Sequence, residues 1–294
     1  QAEDGIRDAQ ESRGLGDVYK RQVEVMRDKY RRWLLVDITP TEAWVLSKEF
    51  FRSYNFKIEK ENEKIGIFET DYLEIETQVP DKSLGTIRAL LSKALKTQYG
   101  LPIADKYRVR IESIDDSNKS EIYLTLSSIG EVVINEQRLW QQRDKDVELE
   151  TEMLLKLMIF LGSDRSESII NIQSNLGSNE TVASVFNSDS GYAILVLPYD
   201  KKQSWKLLGW ALDELGIDID DRDSVEGSYL IKVTPKNGFL SNLFSSVSVQ
   251  SYQLVLKEVD NSQTRIIFVD LSEENDQDVI EYSGELFNDI AEKF

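Results

Sequence analysis

The side chains best placed to do chemistry are carboxylates. Asp220, Asp221, Asp223 and Glu226 form one dense cluster, Glu273, Glu274, Asp276 and Asp278 a second, and Glu59, Glu61 and Glu63 sit in a shorter acidic run. Paired carboxylates can serve as general acid and base, or can ligate a hard cation. The spacing here is not that of an EF-hand loop, and the runs fall between apolar segments, where solvated turns belong. The chain has no histidine and no cysteine. That removes the commonest general base, the commonest metal ligand and every thiolate reaction. No glycine-rich phosphate loop, serine nucleophile elbow or metal motif is found. The expectation is a protein without catalytic residues, cofactor or metal.

A different kind of candidate lies at residues 238–245, Gly-Phe-Leu-Ser-Asn-Leu-Phe-Ser. Phe239, Leu240, Leu243 and Phe244 put four large apolar residues into an otherwise polar connection. They make either a loop helix tucked against its own domain or an exposed contact patch for a partner.

The elements that would hold these residues come as a repeat. Residues 33–70 read as strand, capped helix, strand, tight turn, strand, and residues 192–232 read the same way. Trp44 matches Trp205, Phe51 Leu212, Phe56 Ile217, Ile58 Ile219, Gly66 Gly227 and Phe68 Tyr229, all at one offset. Two copies of a unit this long indicate tandem domains rather than a solenoid. In the first copy Thr39 is the helix N-cap, Pro40 the first helical residue and Glu42 the capping-box partner; Asp200 and Gln203 repeat that chemistry in the second.

Beyond the shared core, residues 84–97 read as an inserted helix. Tyr107, Val109 and Ile111 alternate with Arg108, Arg110 and Glu112, and Ile122, Leu124 and Leu126 with Tyr123, Thr125 and Ser127. Such alternation predicts antiparallel strands with one buried and one wet face. Residues 132–135 read as a third strand, and Trp140 and Gln141 as part of a loop. Asp144 or Asp146 then caps a helix striped by Leu149, Met153, Leu154, Leu157, Met158 and Leu161, and Gly162 stops it. A final helix over 279–294 closes the second domain.

The expected fold is α+β: two tandem helix-grip domains, each an antiparallel sheet packed against two helices. The expected organisation is a non-native or flexible tail over 1–31, an N-terminal domain over 32–163, a linker over 164–190 and a C-terminal domain over 191–294. The run over 5–22 resembles translated adapter sequence and is set aside from fold reasoning.

Composition bounds the function. Acidic residues outnumber basic ones 53 to 35, for a net charge of -18. That argues against nucleic acid, whose phosphates are gripped by Lys and Arg, and against a basic patch on anionic lipid. No run approaches the ~18 apolar residues of a membrane span.

At Arg32-Trp33-Leu34-Leu35-Val36, Phe68-Glu69-Thr70-Asp71, Asp105-Lys106-Tyr107-Arg108-Val109-Arg110 and Glu148-Leu149-Glu150-Thr151-Glu152-Met153-Leu154 the chain resembles the NlpB/BamC lipoproteins. Asp221-Arg222-Asp223, Glu226-Gly227-Ser228-Tyr229 and the stretch from Gly238 to Phe244 look like the matching segments of the second domain. The resemblance runs from about Arg32 to the C-terminus. It implies a non-catalytic accessory lipoprotein of the machine that folds β-barrels into the outer membrane of Gram-negative bacteria, lipid-anchored and periplasm-facing. It further implies BamD and other subunits of that machine as partners, with the outer membrane reached through an acylated N-terminal cysteine and BamD held largely by a long unstructured N-terminal segment. This sequence offers no cysteine onto which the anchor could be carried over. The reading from a different class is a hydrophobic-ligand or lipid-binding helix-grip module, with an apolar space between helix and sheet.

Overall fold

The computed structural model describes residues 22–28, 30–74, 102–114, 117–134, 137–162, 183–233, 250–271 and 277–294. Two compact units make up the chain, Gln1–Glu61 with Phe68–Leu176 and Asn62–Ile67 with Gly177–Phe294. Among the described residues each holds one antiparallel sheet and two helices, the α+β helix-grip arrangement expected.

In the first unit the described strands are β1 (Val23–Asp28), β2 (Arg31–Val36), β3 (Ile58–Asn62), β4 (Ile67–Thr70), β5 (Leu73–Glu74), β6 (Ile103–Ser113), β7 (Ser120–Ile134) and β8 (Gln137–Gln142). The helices are α1 (Pro40–Ser53) and α2 (Val147–Phe160). The sheet order is β1-β2-β7-β6-β4-β3, with β5 beside β6 and β8 beside β7. Thr39 starts α1, its hydroxyl accepting from the Glu42 N–H at 3.3 Å, which satisfies one of the first-turn donors. Asp146 does the same for α2, accepting from the Glu148 and Leu149 N–H groups at 3.1 and 3.0 Å. Ala43, Trp44, Ser47, Phe50 and Phe51 are the buried face of α1.

In the second unit the strands are β9 (Ser184–Asn187), β10 (Ala193–Leu197), β11 (Asp218–Asp223), β12 (Ser228–Val233), β13 (Gln250–Asp260) and β14 (Gln263–Asp270). Its helices are α3 (Lys201–Glu214) and α4 (Gln277–Ala291). The order β11-β12-β13-β14-β10-β9 reproduces the first sheet strand for strand, read from its β3 end. Asp200 caps α3 by accepting from the Gln203 N–H at 2.7 Å. Gly66 and Gly227 turn the matching hairpins with φ of 65° and 75°, a conformation open to glycine and strained for most other residues.

Four sequence expectations change. Val23–Asp28, expected in the tail, is strand β1 and pairs along its length with β2; Ser184–Asn187, expected in the linker, pairs with β10 in the same way. Residues 132–134 are not a separate strand but the end of a 15-residue β7. Trp140 and Gln141 lie in β8, which turns back on β7 with Trp140 opposite Glu131. The expected helix over 84–97 lies outside the described residues.

Candidate interaction surfaces

The face of the first sheet turned away from the α1 and α2 core is not wet. Arg108, Arg110, Glu112, Tyr123 and Thr125 are buried, Arg110 to 1% exposure. The polar residues of the alternation satisfy one another instead of water. Glu69 receives Arg108 at 3.3 Å and Lys106 at 3.2 Å. Arg110 forms an ion pair with Glu112 and lies 4.1 Å over the Tyr123 ring. Tyr123 stacks on Trp33 at 5.7 Å, and Glu121 accepts from both, at 2.9 Å from the Tyr123 hydroxyl and 3.2 Å from the Trp33 indole. Each charge has a partner within reach, the condition for burying it at all. The three carboxylates Glu69, Glu112 and Glu121 thus each meet a cation or a hydrogen-bond donor of the same face.

The opposite face meets the helices through rings. Phe51 touches Phe50, Phe56, Phe68 and Tyr107 with centroids 5.1 to 5.9 Å apart. In the second unit Tyr252, Phe268, Tyr282 and Phe287 do the same. Trp44, Phe50, Phe51 and Trp205 are all buried between helix and sheet.

Burial disfavours the charge of two carboxyls, Asp105 on β6 and Glu150 in the first turn of α2. Asp105 is fully buried; one oxygen accepts from the Ser128 hydroxyl at 2.6 Å and the other meets no donor. Burial pushes its protonation up from 3.8, while Ser128 and Arg143 oppose the rise. Burial also raises Glu150 above 4.5. Glu150 is held by Lys145 at 3.0 Å and accepts the Leu126 N–H of β7 at 2.8 Å, so it covers a stretch of β7 where neither β2 nor β8 pairs.

The acidic cluster of the second domain is turn architecture. Asp223 accepts from the Val225 and Glu226 N–H groups at 2.9 and 3.0 Å, and Asp220 pairs with Lys232 at 2.6 Å. Among the described residues no three acidic side chains converge as metal ligands. The cluster at Glu273, Glu274 and Asp276 lies outside the described residues, as do Phe239, Leu240, Leu243 and Phe244.

Exposed apolar groups occur elsewhere. Leu139 and Trp140 stand 48% and 45% exposed on β8, and Phe186 is 58% exposed on β9. Sequence reading missed the β8 pair because a strand exposed on both faces shows no apolar alternation. The signal present was two large apolar residues in a run with no carboxylate.

Comparison with known proteins agrees with this architecture. Residues 182–294, from just before β9 to the last residue, match the family described as the outer membrane protein assembly factor BamC-like C-terminal domain. Over 216 residues the chain is 31% identical to outer membrane protein assembly factor BamC of Thiobacillus denitrificans, an overlap of 72% of this chain and 56% of that one. Over 252 residues it is 30% identical to the factor of the same name from Accumulibacter regalis, covering 81% of this chain and 64% of that one. An uncharacterized protein of Neisseria meningitidis serogroup B is 29% identical over 220 residues, 72% of this chain and 53% of the other. The chain therefore spans between about half and two thirds of the length of these relatives. The second domain thus matches the BamC-like C-terminal domain family, and across most of its length the chain is similar to assembly factors named BamC.

Proposed function

We propose that this protein is a non-catalytic accessory subunit of the machinery that assembles β-barrel proteins into the outer membrane of a Gram-negative bacterium, and that it works by protein–protein contact. The observation that carries the reading is the 30–31% identity to assembly factors named BamC across most of the chain. The structure is in keeping with it. The buried charges pair internally, and the acidic turns bind their own backbone. In the full-length protein the contacts would include BamD and other subunits of the machine, with a lipid anchor on the outer membrane and the two domains facing the periplasm. A tether of that kind keeps weakly binding surfaces at high local concentration. The second reading, carriage of an apolar ligand, draws no support from the helix–sheet interior, where Phe50, Phe51 and Trp44 are packed ring against ring.

Co-purification from membranes tests the role. Full-length protein tagged in its native host should bring down the outer-membrane assembly machine, and its absence from that complex would overturn the role. Phe239, Leu240, Leu243 and Phe244 are proposed as a partner-binding patch. Replacing Phe239 and Phe244 with Ser should weaken the co-purification without unfolding the domain; unchanged recovery would sink the patch.

A further inference from the structure

Sheet edges expose unpaired N–H and C=O groups and recruit other strands unless blunted by charge, shortness or a bulge. Among the described residues the outer edges of β1, β3, β9 and β11 are blunted. β1 carries Glu24, Arg27 and Asp28; β3 carries Glu59, Lys60 and Glu61. β11 has Asp218, Asp220, Asp221, Arg222 and Asp223 and a register shift at Ile219/Asp221. β9 is only four residues long. β8 has none of these devices. All six of its residues are exposed, it contains no acidic residue, and its single charge, Arg138, is paired with Glu131 at 3.2 Å.

The free edge of β8 can be assigned atom by atom. Along β7 the Glu131 N–H donates to Pro102 on the β6 side, whereas the Ser128 carbonyl accepts from the Arg143 N–H that follows β8. Alternation then turns the backbone of Gly130, Val132 and Ile134 toward β8, opposite Gln141, Leu139 and Gln137. Arg138, Trp140 and Gln142 therefore direct their backbone N–H and C=O groups outward. Leu139 and Trp140 project to opposite faces of the ribbon, so an added strand would meet one apolar anchor on each.

We propose that the outer edge of β8 accepts an extended, uncharged peptide segment with alternating apolar and polar residues as an added strand. Six residues give an edge of about 20 Å, too short for the ~800 Å² per partner of a stable folded interface and suited to one strand. Along the strand the one charge, Arg138, is already paired with Glu131, so the edge itself selects no charged segment. Unfolded strands of outer-membrane barrels have this alternation over about ten residues; that choice of occupant rests on the assembly role proposed above, while the edge itself rests on the register alone.

The test is fluorescence anisotropy of a labelled peptide of about ten residues, Val and Leu alternating with Thr and Ser, titrated with the full chain. Gln142→Pro removes one outward N–H and keeps the ladder to β7, and should weaken binding roughly fivefold. Trp140→Ser removes an anchor and should weaken it about tenfold. Val45→Ser, which trims an exposed apolar residue on α1, should change nothing. Binding that is absent, or equal in the wild type and both β8 variants, overturns the proposal. So does self-association that Gln142→Pro abolishes without peptide binding, which would assign the edge to a second copy of the chain. Membrane co-purification separates the two ideas: its loss with peptide binding intact removes the assembly role and leaves the edge, and the converse removes only the edge.

Discussion

Trp205 on α3 and Tyr229 on β12 lie with ring centroids 4.0 Å apart and planes 22° from parallel, and the Tyr229 hydroxyl donates to the Trp205 carbonyl at 3.3 Å. Trp44 and Phe68 occupy the same places in the first domain, edge to face at 5.4 Å. In both copies this pair fixes the helix to the second strand of the hairpin. Trp205→Ala should cost about 3–5 kcal/mol by loss of burial and a residual cavity, and Tyr229→Phe about 1 kcal/mol for the single hydrogen bond. Urea denaturation followed by far-UV circular dichroism measures both; equal losses would mean the ring contact contributes little.

A second equivalence joins positions that no constant offset relates. The Ser120 hydroxyl at the start of β7 donates to the Ile38 carbonyl at 2.7 Å, and the Thr264 hydroxyl at the start of β14 donates to the Tyr199 carbonyl at 2.9 Å. Each ties a distant strand to the residue before a helix N-cap, and both side chains are fully buried. Ser120→Ala should destabilise by about 1–3 kcal/mol through loss of the donor to the buried Ile38 carbonyl, and Thr264→Val by about 1 kcal/mol, because the Ser204 hydroxyl also donates to the Tyr199 carbonyl, at 3.4 Å. Chemical denaturation of the two variants checks this, and losses below about 0.5 kcal/mol, the usual surface scatter, would contradict it.

Arg110 is the largest of the fully buried side chains. Arg110→Ala removes the cation paired with the buried Glu112 carboxylate and stacked on Tyr123, and should cost about 3–5 kcal/mol. Replacing both, Arg110→Met with Glu112→Leu, removes the pair together and should restore most of that stability. A double-mutant cycle in urea decides it; additive losses would show that the pair is not coupled.

Asp105 gives the fold a defined pH response. Its folded protonation lies above 3.8 because burial disfavours the charge. As pH falls, the folded chain therefore takes up this proton before the unfolded chain does. The burial cost is fully present at neutral pH, and is relieved as pH drops through the raised folded value toward 3.8. Asp105→Asn, which cannot ionise, should show a larger stability gain over wild type at pH 7.5 than at pH 4. Equal differences at both pH values would place the carboxyl in a solvated site.

How much of this was legible differs by element. The cap at Thr39 and the turn at Gly66 announce themselves because the requirement is local: a donor three residues away, or a positive φ. The β8 strand did not, because exposure on both faces erases the period that sequence reading relies on. β1 was missed for a related reason. Val23, Glu24, Val25, Met26, Arg27 and Asp28 carry only a short alternation, and what makes them a strand is the edge of β2 beside them.

By itself the sequence determined the two-copy α+β plan, the helix starts at Thr39 and Asp200 and the apolar stripes that face the sheets, since these depend on residue types a few positions apart. Only the tertiary structure decided that the polar side of β6 and β7 is buried. Periodicity says which residues share a face, but not what covers it. Arg108 and Arg110 can leave water only because Glu69 and Glu112 neutralise them and Tyr123 takes the second guanidinium on its ring, and two of those three partners come from other strands.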